Sequence, residues 1–150
     1  MRLSATDANR HAATPRTRYA FLTLPDYSMI ALTNAIEPLR MANRVSGQGA
    51  YEWLVVTPDG EPVTASNGLM MTPTRRLADA PDVDMVFVCG GVNVREAVSA
   101  ALVNALRRLA ARRMPLGALC TGGYALAQAG LLDGYHATIH WENLSALREQ

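Results

Sequence analysis

A mainly parallel β-sheet covered by helices on both faces is the α/β architecture this sequence predicts, and three observations predict it. Read along the chain, the apolar patterns run strand, helix, strand, strand, helix, strand, helix. The stretches between strands are long enough for crossover connections, which parallel strands require. Finally, 49% of residues are hydrophobic and only 18% charged, a balance suited to a sheet buried on both sides. At 150 residues the chain has room for one core and not for two.

The first 17 residues are rich in Ala, Thr and Arg without periodicity and read as a mobile tail, so the domain is expected over 18–150. Tyr19 to Leu24 is a short apolar run closed by Pro25-Asp26, the pattern of a buried first strand. Ser28 or Asp26 is placed to cap a helix from Met29 to Val45, with apolar positions at Ile30, Ile36, Leu39 and Met41. Pro38 inside it predicts a kink or a new helix start. Tyr51 to Thr57 alternates and is β-branched, a second strand, and Pro58-Asp59-Gly60 turns the chain. Glu61 to Thr74 is ambiguous, with room for a small hairpin around Asn67-Gly68. Val83 to Val88 is the clearest strand and ends at Cys89-Gly90-Gly91. Arg95 to Arg113 reads as one helix, with Val98, Leu102, Leu106 and Leu109 on one face, stopped by Pro115. Leu116 to Leu119 is a short strand, and Thr121-Gly122-Gly123 opens a helix through Ala129, closed by Gly130.

Composition excludes several functions. The net charge is +1, so the chain as a whole has no electrostatic footprint for nucleic acid, although all fourteen cationic side chains are Arg. The longest uncharged apolar runs, such as Met114 to Ala129, are broken by Pro, Gly, Cys and Thr, so no membrane-spanning helix is expected. The N-terminus lacks the apolar segment of a secretory signal, which points to a cytoplasmic protein with reduced thiols. Cys89 and Cys120 stand outside any metal-ligand spacing, so neither a metal nor another cofactor is expected.

Cys120 carries the strongest chemical signal. It lies between a short apolar strand and a helix, with Gly117, Gly122 and Gly123 around it. This is the sequence form of a nucleophile elbow, where a strained turn directs a side chain into a pocket at a helix N-terminus and the helix dipole favours thiolate. A small, buried, unreactive cysteine is the alternative reading of the same residue. His140, in Ala137-Thr138-Ile139-His140-Trp141, is spaced to return beside Cys120 as base or hydrogen-bond partner; a lone histidine is as readily a surface residue. Gly90-Gly91 at a strand end either offers backbone N–H groups to an anion or is a plain turn. Cys89 reads as packed.

Together these segments resemble the ThiJ/PfpI, class I glutamine amidotransferase-like superfamily. Gly117 to Gly122 looks like its cysteine elbow, Leu126 to Gly134 like the following helix, and Ala137 to Trp141 like its histidine strand. Ala35 to Arg44, in particular Ile36-Glu37-Pro38-Leu39-Arg40, is similar to the AraC-type bacterial regulators that carry such a domain at the N-terminus, including those of carnitine, glycine betaine and arginine catabolism. The resemblance covers about residues 18–147. It implies a flavodoxin-like three-layer sandwich, a homodimer, and a pocket for a small-molecule effector, an amine or amino-acid derivative, lined by Cys120, Thr121, His140, Trp141, Gly90 and Gly91. It further implies DNA contact only through a helix-turn-helix domain absent from this chain, which then reads as a fragment.

Enzymes of the superfamily place an acidic residue on the first helix near the thiol, and here Ala31 or Leu32 falls at that place. The competing reading is nonetheless a stand-alone hydrolase or isonitrile hydratase-like enzyme with Cys120 as nucleophile and His140 as its base. A third reading leaves the elbow vestigial and the domain a dimerisation unit. If the effector is a quaternary ammonium, Trp141, Tyr27 and Tyr124 are the candidates for cation–π contact.

Overall fold

The computed structural model describes residues 16–80 and 82–141. Strand β1 (Thr17–Thr23) begins inside the stretch expected as tail, because Thr17 N–H donates to Ala50 O at 2.8 Å and Arg16 pairs with Glu52. The rest of the expected tail lies outside the described residues. Helix α1 (Met29–Ser46) is capped by Ser28, whose Oγ accepts from Ala31 N–H at 3.4 Å, and closed by Gly47 in the left-handed conformation. It runs through Pro38 without restarting. Strand β2 (Tyr51–Thr57) follows, then a hairpin of β3 (Val63–Thr64) and β4 (Met70–Met71) with Asn67-Gly68 in its turn.

Strand β5 (Arg75–Arg76) and a 3-10 turn at Leu77–Asp79 precede β6 (Met85–Cys89). The single helix expected over Arg95 to Arg113 is two: α2 (Val94–Ala97) and α3 (Ala100–Ala111). Val98 leaves helical geometry, and Ser99 restarts it by accepting from Leu102 N–H at 3.2 Å. That cap satisfies an otherwise orphaned donor, a signal the continuous apolar period hides. Strand β7 (Leu116–Leu119), a 3-10 turn at Cys120–Gly122 and α4 (Gly123–Gln128) follow. The expected histidine strand does not form: residues 136–140 have no regular secondary structure.

The sheet order is β5-β2-β1-β6-β7, every neighbouring pair parallel. Strand alternation sorts the core into two layers. Ala20, Leu22, Val86 and Val88 face α3 and α4 together with Leu102, Leu106, Ala125 and Leu126. Phe21, Cys89 and the half-buried Phe87 face the other way with Tyr27 and Leu32, beneath α1. The α/β fold is therefore the three-layer, flavodoxin-like sandwich the sequence implied. Chain direction across the sheet reverses at β1, which has β2 on one side and β6 on the other. In open α/β sheets the crevice outside the strand C-termini at such a switch is where ligands bind. Among the described residues no helix is long and apolar enough to cross a membrane.

Candidate functional site

Three chain segments meet at that switch point. The first is Pro25 to Ser28 after β1, where Asp26 takes a left-handed φ of 57°. The second is Gly90 to Val92 after β6. The third is the elbow, where Cys120 has φ 54°. A positive φ costs a non-glycine residue about 1–2 kcal/mol, and such strain persists only where the surroundings hold it.

The surroundings are backbone packed on backbone. A Cβ added at Gly91 would lie 1.8 Å from Asp26 O, one at Gly122 2.0 Å from Val88 O, and one at Gly90 2.6 Å from Gly122 N and Thr121 Oγ1. Hydrogen bonds tie the same segments. Ser28 N–H donates to Gly90 O at 3.0 Å, Val92 N–H to Asp26 O at 3.1 Å, Gly90 N–H to Leu119 O at 3.3 Å, and the buried Thr121 Oγ1–H to Gly91 O at 2.7 Å. The Gly90 amide and the Thr121 hydroxyl proton are thus engaged within the protein. Gly90 and Gly91 are small because neighbouring main chain occupies the space a side chain would need, a reason their position at a strand end does not disclose.

Cys120 is half-buried, Cys89 fully buried and both are free thiols. Burial first, and the nearby Cys120 second, push the Cys89 thiol from an ordinary 9.0 up to about 12. Three units remove roughly a thousandfold of the thiolate present at neutral pH, and thiolate is the species alkylated. Iodoacetamide is therefore expected to modify Cys120 in the native chain and to reach Cys89 only after unfolding in urea. Mass mapping checks this, and native alkylation of Cys89 at its unfolded rate would contradict the packing described.

The elbow brings Gly90, Gly91, Cys120 and Thr121 together. The segment bearing His140 crosses α4 at its first residue, where a Cβ on Gly123 would meet Thr138 O at 3.6 Å and Ile139 Cγ1 at 3.8 Å. His140 is half-buried and its ring lies 5.8 Å from that of Trp141, which is 74% exposed. The three aromatic candidates do not converge: Tyr27 is sealed in the layer beneath α1, Tyr124 packs in the opposite layer, and Trp141 lies at the surface. Burial, followed by Cys89, raises the Tyr27 hydroxyl above its usual value. Asp26 and Ser28 are members of this junction that residue type alone pointed to only as helix caps; a Pro-Asp pair after a buried strand is the available signal. The first turn of α1 contains no acidic residue, so that turn brings no carboxylate to the thiol.

The class of protein is thus an α/β domain with a parallel sheet and a cysteine turn of positive φ at its topological switch. The sequence model of the DJ-1/PfpI family matches residues 20–150, and the chain belongs to that family. It is 48% identical over 129 residues to the HTH-type transcriptional regulator GbdR of Pseudomonas aeruginosa and 43% identical over 129 residues to the HTH-type transcriptional regulator CdhR of that species. Both alignments cover 86% of this chain, but only 35% of GbdR and 38% of CdhR. The chain thus spans little more than a third of these regulators. An isonitrile hydratase of Pseudomonas putida is 33% identical over 122 residues, covering 81% of this chain and 51% of the enzyme. Among solved structures, an AraC family transcriptional regulator from Pseudomonas putida superimposes with a TM-score of 0.77 at 32% identity, over 89% of this chain and 71% of that one.

Proposed function

We propose that this domain senses a small amine or amino-acid-derived effector for an AraC-type transcription regulator. The effector binds in the crevice above Cys120, bordered by Thr121, Gly90-Gly91, His140 and Trp141. In this reading the protein works in the cytoplasm as a homodimer and reaches DNA through a helix-turn-helix domain. The similarity to regulators, 48% along 86% of the chain, carries the proposal. The absence of a carboxylate from the first turn of α1 supports it, since an activated thiol needs a partner group. Coupling to DNA requires that the effector favour one arrangement of the protein by differential affinity.

The enzymatic alternative rests on the positive φ of Cys120 and on the isonitrile hydratase relative. One experiment separates the two. Thermal unfolding is followed with glycine betaine, carnitine and arginine, and the protein is incubated with an isonitrile while its hydration to the N-substituted formamide is monitored. A sensor gains about 2.7 kcal/mol when a ligand is a hundredfold above its Kd, a rise of several degrees in Tm for a domain of this size. The Cys120→Ala variant keeps that rise if the thiol is only a pocket wall. Formamide production lost in Cys120→Ala, with no thermal response to any amine, would replace the sensor by the enzyme. With a quaternary ammonium that does bind, undiminished affinity in Trp141→Ala would remove Trp141 from the site.

A further inference from the structure

A second concave site lies away from the elbow, on the α3 side of the sheet. It is a groove of about 570 Å³ between the 3-10 turn at Leu77–Asp79 and helix α3, within the size range of small-molecule pockets. Its walls are apolar, among them Leu77, Ala80, Leu102, Ala105, Leu109 and Met114. Arg108 and Arg112, one helical turn apart, border the same groove. Among the described residues no carboxylate lines it: Asp79, the acidic residue of the facing turn, is held by Arg76, with Nε to Oδ2 at 2.5 Å. Among the described residues neither Arg108 nor Arg112 forms an ion pair, whereas Arg16, Arg18, Arg40 and Arg76 each do. Both cations complement the negative end of α3, which accounts for their sign but not for an apolar trough beside them.

We infer that this groove binds an amphipathic anion, a carboxylate on an unbranched aliphatic tail, with the tail along Leu77, Leu102 and Leu109 and the carboxylate between Arg108 and Arg112. The guanidinium fork matches a carboxylate in two parallel hydrogen bonds, and burial of the tail's methylenes in the apolar trough adds the hydrophobic contribution. Neither contribution involves Cys120, so the site stands or falls separately from the effector crevice.

The test is titration of the protein with decanoate, decanol and decyltrimethylammonium by calorimetry. Decanoate is expected to bind best. The Arg108→Gln/Arg112→Gln variant should weaken it by about tenfold, the sum of two exposed charge contacts, with circular dichroism confirming an unchanged fold. Ala105→Trp, which fills the groove, should abolish decanoate binding, and Cys120→Ala should leave it unchanged. Equal affinity for the three probes, unaltered decanoate binding in the double arginine variant, or loss of binding in Cys120→Ala would each overturn the inference.

Discussion

Replacing Gly122 by Ala is expected to destabilise the protein by about 3 kcal/mol or more, the upper end of what overpacking costs. The added methyl would lie 2.0 Å from Val88 O, and the obstacle is main chain of the interior strand β6, which has no rotamer to change. Relief requires moving β6 or the elbow, and each is tied to the other by Gly90 N–H to Leu119 O and to the rest of the junction by Thr121. Gly47→Ala provides the control. Gly47 has φ +66° and nothing within 4 Å of an added Cβ, so it should cost only the 1–2 kcal/mol of a left-handed backbone. Urea unfolding midpoints compare the two directly. Equal losses would mean that the elbow and β6 yield easily and that the clash does not define the junction.

A comparable loss, about 3–5 kcal/mol, is expected for Phe21→Ala. Phe21 is 1% exposed and its ring stacks on Phe87 at a centroid distance of 5.7 Å and an interplanar angle of 16°. The two residues are direct cross-strand partners in the β1–β6 ladder, and such a pair adds about 0.5–1.5 kcal/mol beyond the area it buries. Gly117 leaves room for it, since a Cβ there would meet the Phe87 ring at 2.5 Å. Ile30→Ala, at a side chain 70% exposed, should change stability by no more than about 0.5 kcal/mol. A Phe21→Ala loss below 1 kcal/mol would show that the layer beneath α1 contributes little to the fold.

Strands buried in the sheet centre were legible because apolar and β-branched residues concentrate there; β1, β2 and β6 follow Tyr19 to Leu24, Tyr51 to Thr57 and Val83 to Val88 to within a few positions. Strand β5 was not, because it is two exposed arginines held at the sheet edge by pairing to Val56 and Thr57, and no side-chain pattern marks a strand defined by backbone bonds alone. The break at Val98-Ser99 escaped for a related reason: the apolar spacing of Val98, Leu102, Leu106 and Leu109 continues across it, while the cap is a local event. At the site, the glycines and Cys120 announced a tight turn. What composition could not disclose is which backbone atoms crowd against Gly90, Gly91 and Gly122, since Asp26, Val88 and Thr121 lie far from them in sequence or in a different element. The irregular course of residues 136–140 shows the same limit, because β-favouring residues make a strand only where a ladder partner is within reach.

The position of β1 sets an order of events during synthesis. Strand β1, the middle of the described sheet, is translated long before one of its two neighbours, β6: Arg18 N–H bonds Asp84 Oδ2 across 66 positions of sequence. Every ladder of this sheet is parallel and closes a long loop before it gains any pairing. A nascent chain that has emerged only through β2 can pair β1 on one side, leaving its other edge, with Phe21 and Leu22, exposed to solvent and to other chains. Completion of the centre therefore waits for β6, whose last residues also close the cysteine turn, so the switch-point junction cannot assemble until the chain has been made through Gly122.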